Sequence, residues 1–330
     1  MSGRRGDADP PCKHTMPVVP LLCLFGVVAL LSSVTLVIKY VFQHSPVHAM
    51  PLAMIRVTIG FVFLFAITLL WDWRGILSLS LRDIAQLTVV GFLGVFSYAV
   101  SAYGLMQTSV THYALIYSLL PSSTALLSVS LGKERLGAIK LTGIGLSLAG
   151  CVVAVAGEAS SAELGFRVGD VYVLLFTVMM SAHIVFSAGT VKRFGVMVSN
   201  TLMFGTSALL LLASSTQWTQ PKHDDLSLTI LLAVIYVGFA TAGVFLLRCR
   251  ALQSLSPATV GTFHNLIPIA TIMLAYVFLG ESIGVQTFIG ATAVVAGAEL
   301  VRRAQSPPWM HSRSLSRAMA RLVEPEKPSL

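Results

Sequence analysis

Residues 121–150 read PSSTALLSVSLGKERLGAIKLTGIGLSLAG, and residues 268–297 read PIATIMLAYVFLGESIGVQTFIGATAVVAG. Pro121 aligns with Pro268, Thr124 with Thr271, Leu127 with Leu274 and Glu134 with Glu281, always 147 positions apart. Gly137, Gly143 and Gly150 align likewise with Gly284, Gly290 and Gly297, and further back Gly91 and Phe92 align with Gly238 and Phe239. Both copies lie inside long apolar runs. An internal repeat of about half a chain, built of apolar helices, is a pattern of membrane carriers that hold their cargo between the repeats.

Composition points the same way. Of 330 residues, 55% are hydrophobic and only 11% charged, where a soluble domain carries about 25% charge. A soluble fold would leave these helices nothing to bury against, so the chain reads as an all-α integral membrane protein. One crossing takes about 20 apolar residues, which leaves room for about ten spans. Cys12, Cys23, Cys151 and Cys249 show neither metal-ligand spacing nor a pairing pattern, so no metal and no cofactor is expected. The first apolar stretch follows basic residues, as a signal peptide does. It runs from about Pro17 to Phe42, too long for a cleaved segment, and is read as the first span.

The expected spans are 17–42, 50–71, 84–106, 110–131, 138–157, 169–190, 199–215, 227–248, 258–279 and 284–302. They fall into a first five-helix repeat at 17–157 and a second at 169–303, between an N-terminal tail (1–16) and a basic C-terminal tail (304–330). Of 22 Lys and Arg residues, all but Lys39, Arg56, Arg167 and Lys222 gather on the side of the two tails. By the positive-inside rule both termini are cytoplasmic and the protein sits in the plasma membrane, the inner membrane of a bacterium. The net charge of +8 is then mostly a topology signal and does not argue for nucleic acid. Five spans per repeat is an odd number, so the second repeat enters the membrane inverted. Inverted repeats have two nearly equivalent arrangements, open to opposite sides, which is the basis of alternating access.

The stretch PLAMIRVTIGFVFLFAI (residues 51–67) resembles the second helix of EamA-type transporters of the drug/metabolite transporter superfamily. Residues 102–150 and 251–297 resemble that family's pattern too: a helix with a mid-span proline, an acidic residue after it, then a glycine-bearing helix. The resemblance covers roughly residues 17–303. It implies ten helices in two inverted five-helix repeats, a cavity formed by the first four helices of each repeat, and the fifth and tenth packed outside. The superfamily carries amino acids, sugars, nucleobases, polyamines and drugs, so the resemblance does not name a cargo.

Candidate residues follow from depth and charge. His264 and Asn265 lie just before Pro268, and Tyr117 and Ser118 occupy the matching places before Pro121. These four are the leading cavity candidates, with His183 in the sixth span behind them. Pro121 and Pro268 each remove a backbone donor and are read as kinks that act as hinges or shape the cavity. Lys39 and Arg56 are the basic residues inside spans. Each would either hold a carboxylate or phosphate of the cargo or snorkel to the headgroups, and no acidic residue in that half of a span is expected to pair with them. Tyr98, Tyr103, Tyr113 and Tyr236 fit either the cavity or the interfacial belt. Glu134 and Glu281 read as caps of the helices that follow them or as loop anchors, ahead of a role in coupling. The glycines seven apart read as packing faces, within one chain or between two chains of a homodimer. The tail 311–323 spaces Arg313, Arg317 and Arg321 four apart, as a helix lying on anionic lipid would, or as a disordered basic tail.

No nucleotide-binding loop, dinucleotide fingerprint or hydrolase motif occurs in the sequence. The expectation is therefore a non-enzyme: a secondary transporter, an exporter of a small metabolite such as an amino acid. Its partners are that small molecule and the bilayer. An exchanger of nucleotide sugars or sugar phosphates is the alternative within transport. A membrane-embedded enzyme or a non-transporting membrane partner is the alternative outside it.

Overall fold

The computed structural model describes residues 18–132, 137–156, 167–214, 227–254, 263, 266–281 and 284–304. In the first unit α1 is Val18–His44, α2 Ala49–Trp71 and α3 the short Trp73–Leu77. Then α4 (Leu81–Gly91) runs through a π-helical turn (Phe92–Phe96) into α5 (Ser97–Gln107), followed by α6 (Val110–Tyr117), α7 (Leu120–Ser130) and α8 (Ala138–Ala156). The second unit holds α9 (Val168–Phe194), α10 (Val196–Ser214), α11 (Leu228–Ser254), α12 (Leu266–Leu279) and α13 (Val285–Arg303). No strand occurs among the described residues. Among the described residues, eight helical spans are long and apolar enough to cross a membrane, with α4–α5 and α6–α7 counted as one span each. The apolar α12 is shorter, at 14 residues. Leu70, Val152, Phe278, Phe288 and many like them point outward, more than half exposed. Apolar surface of that extent faces lipid, and the helices satisfy their own backbone groups there. The protein is a multi-pass integral membrane protein.

The repeat governs where helices begin and end. The starts of α2 and α10, of α4 and α11, and of α8 and α13 each stand one repeat of 147 residues apart. So do the ends of α5 and α11, and of α8 and α13. The seam between α8 and α13 shows how the copies are related. A methyl group on Gly143 would fall 2.8 Å from the Gly297 carbonyl, and one on Gly150 would fall 2.7 Å from the Gly290 carbonyl. Between them the Ser147 hydroxyl donates to the Val294 carbonyl at 3.2 Å, and those two residues are themselves one repeat apart. A residue that touches its own copy marks a pseudo-twofold axis, and the glycine pairing on either side of it is antiparallel. The second repeat is thus inverted relative to the first. The glycines pack helix on helix within one chain, where close backbone approach supplies the attraction that lipid cannot.

The units interlock. α1 packs on α11 and α12, and α9 packs on α5, α6 and α7, so the first helix of each unit crosses to the other. The space between them is central. At Pro121 the chain breaks its helix outright, where a kink was expected. Ser118 and Leu119 form a turn, and α7 starts afresh with the proline in its first turn, where a missing N–H goes unused. The matching candidates in the second unit, His264 and Asn265, lie outside the described residues.

Candidate substrate site

A cavity of about 30 Å³ lies in that central space. Leu31, Val34, Thr35 and Ile38 supply one face of α1, and Tyr98, Ser101, Ala102 and Leu105 supply one face of α5, at helical spacing. Arg56, Tyr113, Tyr117, Phe176, Pro268 and Thr271 are among the residues that complete the wall. The volume admits one or two waters. Anything larger would need the helices to stand further apart.

Arg56 dominates the site. It is 4% exposed. Its Nε donates to the Thr241 hydroxyl on α11 at 2.6 Å, and its guanidinium carbon lies 4.1 Å from the centre of the Tyr98 ring. Thr241 in turn donates to the Val237 carbonyl. Among the described residues no carboxylate forms an ion pair with Arg56. A cation at this depth is costly without an anion, and the cost is tolerated where a function needs it. Opposite stands an aromatic wall. Tyr117 stacks on Phe176 at 5.4 Å, Tyr113 stacks on both at 6.2 Å, and the Tyr113 hydroxyl pairs with Ser101 at 2.7 Å. A planar fork of N–H donors can accept a carboxylate in two parallel hydrogen bonds, and flat aromatic rings beside it offer apolar contact.

A polar latch closes the end of the bundle away from the chain termini. The Lys39 ammonium donates to the carbonyls of Leu105 (3.1 Å) and Thr108 (2.6 Å), where α5 ends. The Glu281 carboxylate accepts from the Val110 and Thr111 N–H groups at 2.8 and 2.9 Å and from the Thr111 hydroxyl at 2.7 Å. It therefore caps α6 of the opposite unit, not the helix that follows it. Asp170, buried at the start of α9, accepts from the Thr108 hydroxyl, from His112 Nδ1 at 3.2 Å and from the Arg167 N–H at 2.8 Å. The expectation that no acidic residue lies at this depth overlooked Asp170 at the edge of the sixth span. Two carboxylates of the second unit thus hold the α5–α6 link of the first.

The other expected residues are dispersed. Tyr117, Arg56, Pro268, Tyr98 and Tyr113 line the cavity; Lys39, Ser118, His183, Pro121, Tyr103 and Tyr236 are not among its lining residues. His183 packs on Gly94 in the π-helical turn, and its Nδ1 donates to the Val90 carbonyl at 3.0 Å. Ser118 returns its hydroxyl to the Leu115 carbonyl. Tyr103 lies against Tyr172, and Tyr236 pairs with Ser33 on an exposed face. His264, Asn265, Glu134 and the tail 311–323 lie outside the described residues. Thr241, Phe176 and Ser101 were not anticipated. Thr241 stands in an apolar run 185 residues from Arg56, and nothing local marks it.

A model described as the EamA-like transporter family matches residues 19–156 and again residues 167–303. An uncharacterized transporter of Clostridium kluyveri is 26% identical over 67% of this chain and 73% of its own length. The uncharacterized transporter YetK of Bacillus subtilis is 26% identical over 68% of this chain and 69% of its own. A solved crystal structure superposes with a TM-score of 0.63 at 20% identity, covering 87% of this chain and 99% of that one, which speaks to the fold.

Proposed function

This chain belongs to the EamA-like transporter family, and from that premise we propose that it is a secondary carrier of a small anionic metabolite, such as an amino acid or related carboxylate, working by alternating access. The observation that supports this most is Arg56. It is buried on the cavity wall, held from behind by Thr241 and Tyr98, with no ion-pair partner among the described residues. A cargo carboxylate completes its coordination. The inverted seam of α8 and α13 supports the second half of the reading, because a pseudo-twofold axis relates two arrangements of similar energy. Transport needs no ATP in this scheme. The gradient of the cargo, or of an ion moving with it, sets direction, and export follows when the cell accumulates the cargo.

The test is flux. The purified full-length chain in proteoliposomes is loaded with unlabelled carboxylates, among them leucine, glutamate, lactate and phenylacetate, and uptake of the labelled compound is followed. Saturable counterflow of at least one, lost in Arg56→Gln at equal incorporation, is the expected result. Counterflow of neutral or cationic compounds that survives Arg56→Gln would overturn the anionic cargo. Absence of flux for every compound would favour a non-transporting membrane partner.

A further inference from the structure

We propose that Arg248 is a second anion-recognition residue, which receives the cargo's negative group at the termini end of the bundle and passes it to Arg56. The proposal rests on the reading of the cavity as an anion path. Arg248 lies on α11, seven residues beyond Thr241, the residue that holds Arg56. Thr241, Phe245 and Arg248 share one helix face, and the step from the first to the last is about 10 Å toward the termini end. Phe245 fills the gap. The Arg248 guanidinium carbon lies 5.6 Å from the Phe245 ring centre, as that of Arg56 lies 4.1 Å from Tyr98. The two rings meet edge to face at 6.5 Å, and they are repeat counterparts. Each of these equivalent rings therefore carries its own arginine, one deep in the cavity and one nearer the termini.

Two further observations point to a ligand. Among the described residues the buried Arg248 Nε has no hydrogen-bond partner, and Arg248 forms no ion pair. A buried guanidinium N–H without an acceptor is a donor waiting for one. The repeat counterpart of Arg248 is Ser101, which lines the cavity. Ser101 stands six residues before the far end of its helix and Arg248 six before the termini end of its own, so the inverted repeat sets Arg248 at the matching depth on the termini side of the cavity. In the present arrangement the latch of Lys39, Asp170 and Glu281 shuts the far end. Arg248 marks the route toward the termini.

The test needs no knowledge of the cargo. Cys12, Cys23, Cys151 and Cys249 are replaced by serine, and Thr241→Cys is added together with Arg56→Gln, which removes the cation 2.6 Å away, in the full chain held in membrane vesicles of one orientation. The new thiol is modified from the termini side with an anionic sulfonatoethyl or a cationic trimethylammonioethyl methanethiosulfonate. With Arg248 present the anionic reagent reacts about tenfold faster than the cationic one, relative to a free thiol. Arg248→Gln abolishes most of that preference and Arg248→Lys keeps most of it. An unchanged ratio in Arg248→Gln, or a thiol that neither reagent reaches from that side, overturns the proposal. Failure of the cargo reading looks different: no carboxylate moves in proteoliposomes although the ratio still collapses in Arg248→Gln.

Discussion

The seam between α8 and α13 and the neighbourhood of Arg56 obey the same repeat in opposite ways. At the seam equivalent positions carry equivalent residues: Gly143 with Gly290, and Gly150 with Gly297. Around Arg56 they do not. The counterpart of Arg56 is Met203, that of Thr241 is Gly94, that of Tyr98 is Phe245 and that of Ser101 is Arg248. Where the Arg56–Thr241 contact stands in one half, the other half has the Gly94 turn, filled by His183. Where the halves agree they build an inverted scaffold. Where they differ they place one buried cation and its aromatic wall off the axis. Two identical half-sites would suit a symmetric ligand; the asymmetry of this cavity fits the proposed cargo, with a carboxylate at one end and an apolar body at the other.

The seam should be the easier of the two to break. Gly150→Leu drives a side chain into the Gly290 carbonyl, 2.7 Å from where its first carbon would sit. Overpacking of this kind costs about 1–3 kcal/mol in a soluble core, and more where backbone meets backbone. The expected result is loss of most folded, monodisperse protein after extraction. Gly145 lies in the same helix with nothing within 4 Å of an added methyl, so Gly145→Ala should leave yield and melting unchanged. Equal yields for Gly150→Leu and wild type would mean that the two helices do not pack as described.

The cavity should lose function without losing fold. Arg56→Gln removes a charged donor, and a hydrogen bond to a charge is worth about 1.5–3 kcal/mol. Half-saturation for the carboxylate should rise roughly ten- to a hundredfold, while the melting temperature holds or rises because an unpaired cation has gone. Unchanged half-saturation at equal incorporation would separate the cavity from the cargo.

The latch lies between these cases, because it joins the two repeats without touching cargo. Glu281→Gln weakens three hydrogen bonds to the start of α6. The arrangement closed at the far end should lose about 1–2 kcal/mol, enough to raise its opening several-fold. Ile38→Cys, 4% exposed on the cavity wall, reports this. In a background without native cysteines, its labelling from the far side by an impermeant maleimide should accelerate several-fold in Glu281→Gln. An unchanged rate would make Glu281 a cap and no more.

The fold was legible because its signal is redundant. The glycines, the prolines and the helix starts repeat at one offset, and hydrophobicity places the spans independently. The site was legible only in part. Arg56 and Tyr117 stand out, one as a charge in hydrocarbon and the other as a polar residue before a proline. Thr241 and Phe176 are ordinary residues in apolar helices and become site residues only through contacts across the chain. Glu281 was read rightly as a cap, on the wrong helix, because sequence shows which helix comes next and not which one arrives from the other unit. Asp170 escaped notice at a span edge, where an acidic residue reads as loop. His183 looked like a cavity residue because histidine is rare in lipid. The π-helical turn that exposes the Val90 carbonyl to it leaves no mark in the sequence.

Lys39 separates charge recognition from charge anchoring, and it should show the smallest effect. Sequence treats it like Arg56, since both are cations in the same half of a span. The structure treats them differently. Lys39 is half-buried, points at two carbonyls where α5 ends, and does not line the cavity. Carbonyl oxygens at a helix C-terminus carry partial negative charge and suit an ammonium group without any cargo. Lys39→Gln keeps a donor group on a side chain one bond shorter but loses the charge. Half-saturation should stay within about twofold of wild type, since no cargo contact is lost. The melting temperature should fall by about 2–4 °C, the shift expected when roughly 1 kcal/mol is lost from a large domain. Side-by-side titration of Arg56→Gln and Lys39→Gln decides the matter. If half-saturation rises as steeply for Lys39→Gln as for Arg56→Gln, the cargo reaches past the aromatic wall to the latch, and the line between site and scaffold drawn at Leu105 is misplaced.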